Sequence, residues 1–101
     1  MQQPSNVPRH ARVPAAEEQA FVFQSGERAR SLVELADALG RAPASVVSFH
    51  RDHFAAWLTN VVGDEPLARR FTYYARAAPE PDVLRETLRD LVAARLRELP
   101  A

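Results

Sequence analysis

The chain reads as a mainly α-helical protein, a small bundle of four or five helices preceded by a short strand or hairpin. Three observations predict this. Apolar residues recur at spacings of three and four over most of the stretch from Leu32 to Leu99, the period of a helix with one buried face. Start and stop signals punctuate those stripes. With 3 Gly, and 47% hydrophobic against 26% charged residues, the composition is that of a folded domain and not of a disordered chain. A length of 101 residues holds one domain and not two.

Taken in order, Met1 to Ala16 carries Pro4, Pro8 and Pro14 among polar residues. Proline removes backbone donors and biases its neighbours to extended conformations. Residues 1–17 are therefore expected to form a flexible arm and residues 18–99 a single helical domain. Ala20-Phe21-Val22-Phe23 is aromatic and β-branched and ends in the turn signal Gln24-Ser25-Gly26, so a short strand is expected, with Glu27 to Arg30 as its partner.

Ser31 and Glu34 have the spacing of a capping box, in which a hydroxyl and a carboxylate each satisfy a backbone amide left free at a helix start. A helix from Leu32 then places Leu32, Leu35 and Leu39 on one face, with Gly40 expected as its left-handed C-terminal cap. Ala44 to Phe49 reads as a short helix or turn carrying Val46, Val47 and Phe49. Asp52 is expected to cap the next one, whose apolar positions Phe54, Trp57, Leu58, Val61 and Val62 run to Gly63. Asp64 caps a further helix that accepts Pro66 in its first turn and presents Leu67, Phe71 and Tyr74. From Asp82 to Leu99 an apolar stripe of Leu84, Leu88, Leu91, Val92, Leu96 and Leu99 lies opposite Arg85, Glu86, Arg89 and Arg97.

Thirteen basic residues, all Arg, balance 13 acidic ones for a net charge of +0, so no overall field draws the chain to nucleic acid or to an anionic membrane. The absence of Cys removes disulfides and thiolate metal sites and fits a reducing cytoplasm. Apolar runs stay far short of the ~20 residues that span a bilayer. The N-terminal stretch has no apolar segment of the kind a secretory signal needs. A cytoplasmic location is the expectation.

Four features could carry function. His50, Asp52 and His53 are the densest titratable cluster, yet a metal site needs a further ligand, and the plainer reading makes Asp52 a helix cap and packs His50. There is no nucleophile elbow and no glycine-rich phosphate loop, so a non-enzymatic protein without a cofactor is expected. Tyr73 and Tyr74 are adjacent and point in different directions, which sends one of them to the surface as a partner anchor. Leu96 and Leu99 carry the last stripe to the end of the helix, where it packs on its own domain or on a second copy. The fourth feature is the spacing of Ala36, Gly40 and Val46, which resembles a helix-turn-helix over residues 32–51. That resemblance implies Ser45, Ser48, His50 and Arg51 as the residues that reach bases or phosphates.

A longer stretch, Phe21-x-Phe23, Ser31-Leu32-x-Glu34-Leu35, His50, Phe54-x-x-Trp57 and Gly63-Asp64-x-x-Leu67-Ala68, resembles an uncharacterised family of small prokaryotic domains, often archaeal. The family pattern runs F-x-F, S-L-x-E-L, H, N-D-F-x-x-W, G-D-x-x-L-A. Here His53 stands where the family has Asp before the Phe. The resemblance implies a fold unit and no activity. The functional expectation is a protein-interaction or regulatory module that works through a protein partner or through self-association; the alternative is a small helix-turn-helix DNA-binding regulator.

Overall fold

In the computed structural model, which describes residues 7–77 and 80–100, the aromatic run near the N-terminus forms β1 (Phe21–Val22). It pairs antiparallel with β2 (Arg28–Ala29), Phe21 opposite Ala29 and Val22 opposite Arg28. Gly26, at φ 104°, closes the turn, a conformation that glycine enters without steric cost. Helices follow as α1 (Leu32–Arg41), α2 (Ala44–Phe49), α3 (Phe54–Trp57), α4 (Glu65–Ala77) and α5 (Pro81–Glu98). The fold is mainly α with a two-stranded hairpin, as the periodicity predicts.

α1 begins with the expected cap: the Glu34 N–H donates to Ser31 Oγ at 3.1 Å. The Glu34 carboxylate reaches one residue further back than a capping box requires and accepts from the Arg30 N–H at 2.8 Å. Gly40 does not cap the other end. The helix runs on to Arg41, and Ala42 leaves it at φ −71°, ψ 144°, because Pro43 excludes helical geometry from the residue before it. Gly40 serves packing instead: a Cβ there would lie 3.3 Å from Arg89 Nε, and Arg85 donates to the Ala42 carbonyl at 3.0 Å. Two cations of α5 thus lie over the negative end of α1.

Asp52 does not cap α3 either. The chain from His50 to His53 stays in turn geometry, with His53 already helical at φ −97°, ψ −26°, so the extended backbone of a capping residue is missing. α3 passes into a π-helical turn, Leu58–Val62, which Gly63 ends at φ 83°. Asp64 caps α4 as expected, accepting from the Leu67 N–H at 3.1 Å.

α1, α2 and α4 each pack on α5, and α3 packs on α4. The core between them contains Phe23, Leu32, Leu35, Leu39, Phe54, Phe71, Leu84 and Leu88, all buried. Asp64 lies in the same interior at 0% exposure. Its second carboxylate oxygen accepts from Arg95 Nε of α5 at 2.9 Å. Burial opposes the charge on Arg95, but hydrogen bonds to Asp64 and Glu98 outweigh it and raise the guanidinium pKa.

The stretch assigned to a flexible arm is, from Val7 onward, laid against the domain, while residues 1–6 lie outside the described residues. Ala11 and Ala15 are buried. The Leu32 and Val33 N–H groups donate to the carbonyls of His10 and Ala11, and the Ala15 N–H donates to Arg30 O at 2.6 Å. The free amides at the start of α1 supply this docking, because a helix leaves its first N–H groups unpartnered. Proline content signals an extended chain here, and extended chain can pack as well as move.

Removal of Asp64 should therefore be severe. Asp64→Ala deletes a cap and takes from the largely buried Arg95 one of its two carboxylate partners, leaving Glu98, and urea unfolding should read a loss of about 2 kcal/mol or more; Glu65→Ala, at an exposed ion pair, should cost less than about 1 kcal/mol. Gly63→Ala forces a side chain into the left-handed region beside Arg9 and should lower stability by about 1–2 kcal/mol in the same assay.

Candidate functional site

Most chemistry-bearing side chains named by the sequence are engaged inside the fold. Of the four residues that the helix-turn-helix resemblance implies, Ser45 is exposed and His50 is buried. Arg51 donates to Ser48 Oγ at 2.9 Å and to the Ala75 carbonyl of α4 at 2.9 Å. α1 and α2 pack on α5 in preference to each other, so the close crossing of a helix-turn-helix pair is not formed. Arg12 of the N-terminal segment donates to the carbonyls of Leu96 at 3.0 Å and Pro100 at 2.7 Å, and Arg9 reaches Asn60 O at 3.5 Å.

His50 is held by a defined hydrogen-bond chain. The Gln24 N–H of the hairpin turn donates to His50 Nε2 at 2.9 Å, and His50 Nδ1 lies 2.9 Å from His53 Nδ1. Nε2 accepts only when bare, so the neutral ring carries its proton on Nδ1 and donates it to His53, whose own proton sits on Nε2. The nitrogen of His50 that faces His53 is thus occupied by hydrogen, which is not the arrangement of two imidazoles sharing a metal. Among the described residues, no group of three His, Asp or Glu side chains is placed to hold a metal ion. Asp52 is exposed and makes no part of this chain.

Leu96 and Leu99 are half-buried and pack against the core, so much of the apolar stripe of α5 is covered by its own domain. Tyr73 and Tyr74 are different. The expectation that one of the two reaches the surface while Tyr74 shares the apolar stripe with Leu67 and Phe71 does not hold: both lie outside the core face of α4, at 67% and 40% exposure, edge to face with centroids 5.0 Å apart. The core-facing positions of α4 are Leu67, Ala68, Phe71 and Ala75, and a helical period of 3.6 puts residue 73 on the opposite side.

Two shallow grooves flank Tyr73. One, of about 410 Å³, runs between Ala55 and Thr59 on one wall and Ala68, Arg69 and Thr72 on the other. The second, of about 350 Å³, is bounded by Pro66, Arg70 and Tyr74. Arg69 and Tyr73 line both. Arg70 is anchored by Glu98 of α5, with its two guanidinium nitrogens each 3.1 Å from a carboxylate oxygen, and the hydrogen bonds from Arg70 and Arg95 hold the Glu98 carboxyl below its usual pKa. The aromatic pair therefore stands on a helix tied to α5 through Arg70.

Sequence reasoning reaches Tyr73 but misses the walls of the grooves. Ala55, Ala68 and Thr72 are too small to register as site residues, and only the packing of α3 on α4 brings them together. Compared with protein-family models, with curated proteins and with solved structures, the chain matches none.

Tyr73→Ala removes a ring that rests on solvent and should change the unfolding free energy by less than about 0.5 kcal/mol. Phe71→Ala, two residues earlier and buried, should cost about 3–5 kcal/mol in the same denaturant titration.

Proposed function

We propose that the chain is a non-enzymatic protein-interaction module that docks a partner protein through the outer face of α4, with Tyr73 as the anchor. The observation that carries this reading is the exposure of two adjacent tyrosines at 67% and 40% on a helix whose other side is core. Tyrosine supplies a large amphipathic surface at low entropic cost and is enriched where partners bind. The grooves on either side of Tyr73 offer recesses for side chains of a partner, and Arg69 gives each a polar edge. No helix among the described residues is long and apolar enough to cross a membrane, and a cysteine-free chain is suited to the reducing cytoplasm, where the module is taken to work.

DNA regulation is the weaker reading, since Arg51, Arg12 and His50 already have partners inside the fold and the net charge is +0. The last helix is likewise less suited to self-association than its stripe implies, because Leu96 and Leu99 pack on the core.

Immobilised wild-type chain and Tyr73→Ala, exposed to a cell extract, should differ by a partner protein that the wild type retains and the variant loses. Size exclusion with light scattering, run with duplex DNA at ~50 and ~200 mM salt, is the counter-test. A DNA complex that dissolves at the higher salt and is weakened by Arg51→Ala would overturn the proposal in favour of the regulator.

A further inference from the structure

The turn of the β1–β2 hairpin is tied to the α2–α3 junction through one side chain, that of His50. This residue is 8% exposed. Its ring contacts Phe21 and Phe23 of the hairpin edge on, at centroid distances of 5.2 and 5.7 Å, and those of Phe49 at 4.9 Å and Phe54 at 6.2 Å on the helical side. It accepts from the Gln24 amide on one nitrogen and donates to His53 from the other. Both polar atoms of a buried ring are therefore satisfied, and only in the neutral, Nδ1-protonated form.

We propose that the His50–His53 pair is an acid-sensitive latch, which at neutral pH holds the hairpin turn against the α2–α3 junction and on acidification releases it. The geometry makes this a matter of hydrogen count. A proton added to His50 goes to Nε2, the only free ring nitrogen, where it meets the Gln24 N–H donor head on. That turns the attractive donor–acceptor contact with Gln24 at 2.9 Å into a donor–donor contact. A charge on His50 would also be enclosed by Phe21, Phe23, Phe49 and Phe54, with no carboxylate acting on it among the described residues.

The surroundings offer nothing to compensate. Among the described contacts, the hairpin presents a backbone amide and two phenylalanines, α2 presents Phe49, α3 presents Phe54, and the facing titratable group is His53. Arg51, next in sequence, is directed to Ser48 and Ala75. Burial first, and then the charge of His53, lower the His50 pKa below its ordinary 6.5. The unfolded or released form then binds the proton more tightly than the latched one. The latch is at full strength above the ordinary histidine pKa and weakens as pH falls below it toward the lowered value.

Gln24, Ser25 and Gly26 are exposed, and besides His50 the turn is closed by its own backbone bonds, from the Phe23 N–H to Glu27 O and from the Gly26 N–H to Phe23 O, so the turn is suited to loosen while Phe21 and Phe23 stay buried and α1, α4 and α5 stay packed. This inference stands apart from the docking role of α4, and neither needs the other.

Two measurements on the intact chain test it. Imidazole nitrogen chemical shifts at about pH 7.5 should show His50 protonated on Nδ1 and His53 on Nε2; His50 protonated on Nε2 instead would overturn the latch outright. Amide exchange, corrected for intrinsic rates, should then show protection at Gln24 falling about tenfold per pH unit below ~6.5, with Leu35 and Leu88 unchanged. His50→Gln keeps an acceptor for Gln24 without a titrating proton and should flatten that dependence. Constant protection at Gln24, a loss shared equally by Leu35 and Leu88, or an unaltered dependence in the variant would each sink the proposal.

Discussion

The pairing of Asp64 with Arg95 is the contact on which the arrangement of the helices turns. One carboxylate does two tasks: its first oxygen satisfies a free amide at the start of α4, and its second holds a guanidinium near the end of α5. A buried ion pair is not by itself a strong source of stability, because both charges lose water. Its value here is positional. It ties the beginning of α4 to one place along α5, the helix against which α1 and α2 also pack, and Arg95 extends the tie through Glu98 to Arg70. The face of α4 that bears Tyr73 is oriented as a result.

Several arginines of this protein finish backbone. The Leu96 carbonyl would ordinarily accept from residue 100, and the Ala75 carbonyl from residue 79, but both of those residues are proline and have no N–H. Arg12 supplies the missing donor to the first and Arg51 to the second. Arg85 does the same for Ala42 and Arg30 for Ala15. A planar fork with several donors suits such work better than a lysine ammonium. In a chain whose thirteen basic residues are all Arg, these four are committed to the fold's own carbonyls.

The same economy explains why local signals read correctly in some places and not in others. Ser31 and Asp64 cap the helices that their positions indicate, since a cap needs only its own side chain and the next turn. Gly40 and Asp52 have the composition of a helix stop and a helix start and perform neither role. At Gly40 the space is taken by Arg89 from a helix far along the chain; at Asp52 the backbone is committed to the turn that seats His50. The N-terminal segment follows this rule as well, because its partners, the first amides of α1, are visible only once α1 is placed.

What the sequence by itself determined is the helical class, the hairpin, the helix starts set by the caps Ser31 and Asp64, and an outward face for Tyr73, each the outcome of interactions within a few residues. Only the tertiary structure decided that Leu96 and Leu99 are covered, that Arg51 turns inward, that Gln24 selects the tautomer of His50, and that α3 and α4 leave grooves beside Tyr73. These depend on which distant segments meet. The side chains concerned are ones that periodicity leaves free to face either a neighbour or water, and the choice is made by the partner that packing brings within hydrogen-bonding reach.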